Sequence, residues 1–247
     1  MAKHNKWSKV KHRKAVVDKR RGRVWTKISK ALMVAAKNGG PDPDSNLSLR
    51  YAMDEARYAN MPRDTVERAI QKGAGLGDTS QFENVRYEGY APGGIAVVVD
   101  ALTDNRTRTI ALVRETFESY EGRVGASGCV AHMFQFRGQI GIVGKNLSDD
   151  RILEAALDAG ADDVVSPDPL PEEDEDGGWT VLTDVPSFNR VKAALEKAGF
   201  PIEEASLAMI PQDTVEIAGA QAQSVEDLVE ALEELDDVQK VYTNAAT

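Results

Sequence analysis

The sequence predicts an α+β protein: an N-terminal helical domain followed by two ferredoxin-like α/β domains, one inserted in the other. Three observations carry that expectation. Apolar residues recur at helical spacing up to about residue 72, and beyond a glycine-rich break the pattern changes to strands alternating with helices. One β-α-β-β-α-β series is complete in itself, and it stands between two β-α-β halves. Charge divides at the same break. Residues 1–72 hold 18 bases and 7 acids, whereas 73–247 hold 12 bases and 33 acids, in a chain of net charge -10.

The first forty residues are the most lopsided part. Residues 1–37 contain 13 of the 30 Lys and Arg and a single acid, Asp18. The bases are interleaved with Trp7, Val10, Val16, Val17, Trp25 and Ile28, side chains able to pack or stack. Such a segment points to a polyanionic partner, and the candidate nucleic-acid contacts are Lys3, Lys6, Trp7, Lys9, Lys11, His12, Arg13, Lys14, Lys19, Arg20, Arg21, Arg23 and Lys27. A cleaved mitochondrial leader fits less well, because the segment is rich in Lys and Trp and continues into a patterned helix.

From Arg23 the apolar positions Val24, Trp25, Ile28, Leu32, Ala35 and Ala36 mark a helix that Asn38-Gly39-Gly40-Pro41 stops. Residues 8–20 have sparse apolar positions and repelling like charges, and are expected to order fully only on a partner. Asp42-Pro43-Asp44-Ser45-Asn46 opens a second helix carrying Leu49, Ala52, Met53 and Ala56; Pro62 suits the first turn of a third, which carries Val66, Ala69 and Ile70. Residues 73–80 lack the Gly-Lys-Ser/Thr ending of a phosphate loop and follow a helix rather than a strand, so they read as a linker.

Beyond the linker, 95–102 reads as strand, 106–120 as helix and 130–136 as strand. Residues 139–143, 149–159, 163–165, 179–183, 187–198 and 202–210 form the inserted β-α-β-β-α-β series, and 214–217, 225–235 and 238–242 return as strand, helix and strand. The expected domains are 1–72, then 81–137 together with 211–247, with 138–210 inserted. The acidic run 172–176 reads as a solvated hairpin loop, since a Ca²⁺ loop needs spaced ligands and a defined turn.

Several kinds of chemistry are disfavoured. Cys129 is the single cysteine, so no intrachain disulfide or cysteine cluster forms, and the role of a buried small hydrophobe is expected for it. His4, His12 and His132 fall in no metalloprotease motif, and no nucleophile elbow is present; Cys129 with His132 makes a weak pair on paper. No catalytic residue, metal or cofactor is therefore expected. No run of apolar residues reaches membrane-spanning length, which points away from a membrane and toward the cytoplasm. Leu102-Thr103-Asp104-Asn105-Arg106-Thr107-Arg108 joins a strand to a helix start, where Arg106 and Arg108 would make a second phosphate contact, or would be solvated beside a helix cap.

The residues also carry a resemblance. Lys6-Trp7-Ser8 with Lys11-His12-Arg13-Lys14, Gly39-Gly40-Pro41-Asp42-Pro43-Asp44, Asn60-Met61-Pro62-Arg63-Asp64-Thr65-Val66-Glu67-Arg68-Ala69-Ile70, Tyr87-Glu88-Gly89-Tyr90 and Ala101-Leu102-Thr103-Asp104-Asn105-Arg106 together resemble the YebC/PmpR family over essentially the whole chain. That family includes a mitochondrial translational activator of cytochrome oxidase. Lys3, Asn5 and Trp25 depart from its usual Gly, Ser and Phe. The resemblance implies a helical domain and two α/β domains, and a non-enzymatic regulator of gene expression. It implies either a DNA-binding transcriptional regulator or a ribosome-associated translation factor touching rRNA or tRNA and relieving stalling at difficult peptides. No helix-turn-helix with a reading helix is evident, so backbone and shape contact is expected over base readout.

Overall fold

The computed structural model describes residues 17–75, 82–167, 170–171 and 175–246, with side chains from Gly22 onward. Most of the basic arm, part of the 73–80 linker and residues 172–174 of the acidic loop lie outside the described residues. Two compact units are present, one including Phe136–Met209 and the other including Arg20–Gln135 and the residues from Ile210 onward.

In the second unit, α1 (Val17–Gly39), α2 (Leu47–Tyr58) and α3 (Arg63–Gly73) form a three-helix core. Ile28, Leu32, Ala35 and Ala36 of α1 meet Leu49, Ala52 and Ala56 of α2 and Val66 and Ala69 of α3, all at three- and four-residue spacing on one face each. Leu32 and Leu49 are fully buried, each stabilising the domain by about 1.5–3 kcal/mol relative to an exposed leucine. The turn after α1 is fixed by Asn46, whose side-chain amide donates to Ala35 O and Gly40 O while its Oδ1 accepts from Leu49 N to cap α2. Gly73 lies against the Met33 backbone, where any Cβ would collide. Trp25 is a packing residue here: it lies on this core and its Nε1 donates to Ala59 O at 3.1 Å.

The same unit contains a four-stranded sheet of order β3-β1-β2-β9, formed by β1 (Glu83–Ala91), β2 (Ile95–Thr103), β3 (Arg123–Val124) and β9 (Val238–Thr243). Two helices, α4 (Arg106–Ser119) and α7 (Gly219–Glu234), supply Val113, Phe117, Val225, Leu228 and Leu232 to a core with Ile95, Val97 and Val99. Gly89 permits this packing, because a Cβ there would stand 2.5 Å from Arg123 O and 2.8 Å from Phe117.

Three sequence expectations change in this region. Residues 83–91, for which the sequence predicts no element, are a strand in register with β2 through a tight turn at 92–94. Residues 131–133 are a 3-10 turn, and β4 (Phe134–Lys145) then runs unbroken through Gly138, where two strands were expected. Residues 215–216 form only β8, paired in a separate small sheet with β10 (Ala245–Ala246), so the 214–217 segment does not enter the larger sheet. The 130–136 and 214–217 strands of the expected halves are thus replaced by β1 and β3.

In the first unit, β4, α5 (Asp149–Asp158), β5 (Asp163–Val165), β6 (Asp176–Thr183), α6 (Phe188–Lys197) and β7 (Ile202–Pro211) follow the β-α-β-β-α-β order, with sheet order β5-β6-β4-β7. The first-read strand therefore lies between the third and the fourth. Trp179 is fully buried, and its Nε1 donates to Asp149 at the start of α5, tying sheet to helix.

Candidate nucleic-acid interface

The described candidates lie on two segments of one unit, the first half of α1 and the start of α4, and both turn toward the acidic end of α7. On α1, Arg23, Lys27 and Lys30 recur at helical spacing on one face. Arg23 pairs with Glu234 at 2.6 Å, both side chains about half exposed (52% and 53%). Lys27 Nζ donates to Glu233 O at 2.5 Å, and Lys30 Nζ to Asp236 O at 3.0 Å. Carbonyls at a helix C-terminus lack intrahelical donors and carry the negative end of the dipole, so they are natural seats for ammonium groups. Burial holds the Lys27 ammonium below the usual lysine range, although Glu233 and Asp236 pull the other way.

At the start of α4, Asn105 caps the helix, its Oδ1 accepting from Arg108 N at 3.0 Å. Arg106 lies 3.3 Å from Glu83. Arg108 donates to Asp104 at 2.9 Å and to Asp237 at 2.6 Å. The cap anticipated from the sequence is present, and the two arginines face carboxylates.

Asp237 was not singled out by sequence reasoning, and it is the centre of the arrangement. Its Oδ2 accepts from Arg108 and from Thr109 Oγ1 (2.9 Å), with Thr103 Oγ1 at 3.4 Å, while its Oδ1 accepts from Lys30 at 3.3 Å. Its own carbonyl accepts from Leu102 N at 2.7 Å. Burial pushes the Asp237 carboxyl up, but the hydrogen bonds from Arg108, Thr109 and Lys30 outweigh it and hold the group below the usual aspartate range. Arg23, Lys30, Arg106 and Arg108 are thus paired with the carboxylates of Glu83, Asp104, Glu234 and Asp237, while Lys27 sits on the Glu233 carbonyl with the Glu233 and Asp236 charges nearby. The described part of the candidate interface is locally neutralised. Lys3, Lys6, Trp7, Lys9, Lys11, His12, Arg13, Lys14, Lys19, Arg20 and Arg21 lie outside the described side chains.

On α3, Arg63 pairs with Glu67 and Arg68 with Asp64, each at 2.9 Å and one turn apart. Elsewhere, Glu88 is a buried carboxylate that organises a loop: it accepts from Gly128 N, Val130 N and Ala131 N at 2.7, 2.8 and 2.7 Å. Burial pushes its carboxyl up, and these three bonds prevail, leaving it below the usual glutamate range. Cys129, in that loop, is partly buried and its carbonyl accepts from Tyr90 OH, while a ring nitrogen of His132 lies 3.4 Å from Gly128 O. Among the described residues, no helix is long and apolar enough to cross a membrane.

Comparison with known proteins covers the whole arrangement. Residues 5–76 match the model of the TACO1/YebC protein N-terminal domain, and residues 82–245 that of the TACO1/YebC second and third domain. A protein of Paraburkholderia phymatum named a probable transcriptional regulatory protein is 49% identical over 246 residues, covering 100% of this chain and 98% of the relative. One of Burkholderia multivorans with the same description is 50% identical over 245 residues, covering 99% and 98%. The crystal structure of a conserved hypothetical protein from Aquifex aeolicus is similar with a TM-score of 0.81 at 44% identity, over 99% of this chain and 95% of that one.

Proposed function

From the premise that this chain belongs to the TACO1/YebC family, we propose that it is a non-enzymatic, nucleic-acid-binding regulator of gene expression whose polyanion contacts are made by the basic arm before Arg23. The observation that carries this reading is the contrast in charge. Residues 1–22 hold nine Lys and Arg against Asp18 alone, whereas the described bases Arg23, Lys30, Arg106 and Arg108 are paired with the carboxylates of Glu234, Asp237, Glu83 and Asp104. Excess positive charge able to displace counterions from phosphates therefore belongs to the arm. The acidic body disfavours phosphates elsewhere.

Transcriptional regulation through duplex DNA follows the names given to the relatives. The second reading, a ribosome-associated translation factor touching rRNA or tRNA, is favoured by the arm: no helix-turn-helix with a reading helix is evident in the sequence, and a basic, aromatic-bearing segment suits backbone and shape recognition better than base readout in a major groove. Titration of the purified protein with duplex DNA, with duplex RNA of the same sequence and with ribosomal subunits separates the two. Tight binding to DNA alone supports the first, tight binding to RNA or subunits alone supports the second, and binding to none overturns both.

A further inference from the structure

Two α1 side chains pair with carboxylates at the end of α7, and they do so in different surroundings within one compact unit. Lys30 and Asp237 are 18% and 10% exposed, and Asp237 is tied further to Arg108, Thr109 and Thr103, so this pair is enclosed and anchored. Arg23 and Glu234 are 52% and 53% exposed. Between the two pairs, Lys27 Nζ sits on the Glu233 carbonyl, an acceptor that carries no net charge. Breaking an enclosed pair is costly, whereas a water-exposed one holds its partner by no more than about fivefold.

We propose that Glu234 is an internal competitor for nucleic-acid phosphate: it holds Arg23 in the free protein and yields it to a phosphate on binding, while Lys30 on Asp237 keeps α1 docked. This inference rests on the nucleic-acid reading above, and it concerns only side chains from Arg23 onward. Carboxylate and phosphate are both acceptors for the guanidinium fork, so the exchange replaces one charge-assisted contact at Arg23 by another. Duplex phosphates add the release of their condensed counterions, a gain that the contact with Glu234 lacks. The displaced carboxylate loses little, because its side chain is already half in water. Until a polyanion arrives, the most exposed cation of this α1 face is neutralised.

Arg23→Gln, Glu234→Gln, the double variant and Glu67→Gln are made in the full chain and titrated with a short duplex DNA and a short duplex RNA over a range of salt, with circular dichroism verifying the fold. Glu67→Gln removes the same charge from another exposed pair, Arg63–Glu67 on α3. Glu234→Gln is expected to bind about two- to fivefold more tightly than wild type, the hold that an exposed pair exerts. Arg23→Gln should bind more weakly and lose about 0.9 from the salt slope on duplex DNA, the share of one phosphate contact. The double variant should match Arg23→Gln, because Glu234 then has no arginine to withhold. Glu67→Gln should bind as wild type. Unchanged affinity in Glu234→Gln, or equal tightening by Glu67→Gln, would overturn the inference. An unchanged salt slope in Arg23→Gln would overturn it too, leaving the Arg23–Glu234 pair a purely structural contact. Wild-type protein that binds neither duplex would instead remove the nucleic-acid reading, and the competitor role with it.

Discussion

Lys30 and Arg108 donate to opposite oxygens of one carboxylate: Lys30 Nζ lies 3.3 Å from Oδ1 of Asp237 and Arg108 Nη2 2.6 Å from Oδ2. The basic helix and the Thr103–Arg108 turn, which the sequence offers as two separate cationic segments, therefore converge on one acid that both share.

Asp237→Ala should cost about 3 kcal/mol in denaturant unfolding, because it strands Lys30 and Thr109 without their enclosed acceptor. Since the folded group titrates below its unfolded range, its contribution is fully present above the unfolded aspartate range and is lost as pH falls through the depressed folded value. The stability difference between wild type and Asp237→Asn should accordingly narrow in acid. A difference that is constant with pH would mean the carboxylate charge contributes nothing.

Glu234→Gln should behave differently, though it lies on the same helix end. The Arg23–Glu234 pair is half exposed on both sides, and such pairs contribute about 0–1 kcal/mol. A loss well above that, read from the same unfolding curves, would show that Arg23 holds α1 as firmly as Lys30 does.

Glu88→Gln should cost about 1–3 kcal/mol and raise amide exchange at Gly128, Val130 and Ala131, since an amide cannot accept at both positions the carboxylate uses. Burial and the three amides act oppositely on this group and the amides prevail. Its contribution is therefore also one that is present above the unfolded glutamate range and lost on acidification. Unchanged exchange in the loop would show that Gly125–Met133 is held by other contacts.

Trp25→Phe should cost about 1 kcal/mol, the net value of its bond to Ala59 O, and leave polyanion binding unaltered. A loss of binding at constant stability would restore Trp25 as a stacking residue.

These outcomes depend on how far the residues announce their own partners. Local signals were legible: the Gly39-Gly40-Pro41 stop closes α1, with Gly40 at φ 86° and its N–H on Ala36 O, and Asn105 caps α4 as its place before two arginines suggests. The strand at 83–91 was not legible, because Arg86 and Glu88 break its apolar character. Their satisfaction is distant, Arg86 on Asp100 across the sheet and Glu88 on the loop at 128–131. The unbroken β4 was hidden by Arg137-Gly138, which resembles a turn in sequence. Gly138 is there for space: a Cβ would meet Thr183 and Phe188. Asp237 follows Glu233-Glu234-Leu235-Asp236, a run that reads as a solvated helix end, and the partners that reverse that reading are far away in the chain.

The phosphate contact proposed for the arm is electrostatic. The most direct measurement is the salt dependence of binding to duplex DNA and duplex RNA by the full chain and by a chain lacking residues 1–22, with circular dichroism verifying that the shortened chain is folded. If roughly 6 phosphates are neutralised, log K for the full chain should fall against log salt with a slope of about -5 on duplex DNA. The shortened chain should keep its fold and lose nearly all of both the affinity and the slope. A flat response in the full chain, or an equal slope in the two, would contradict the account.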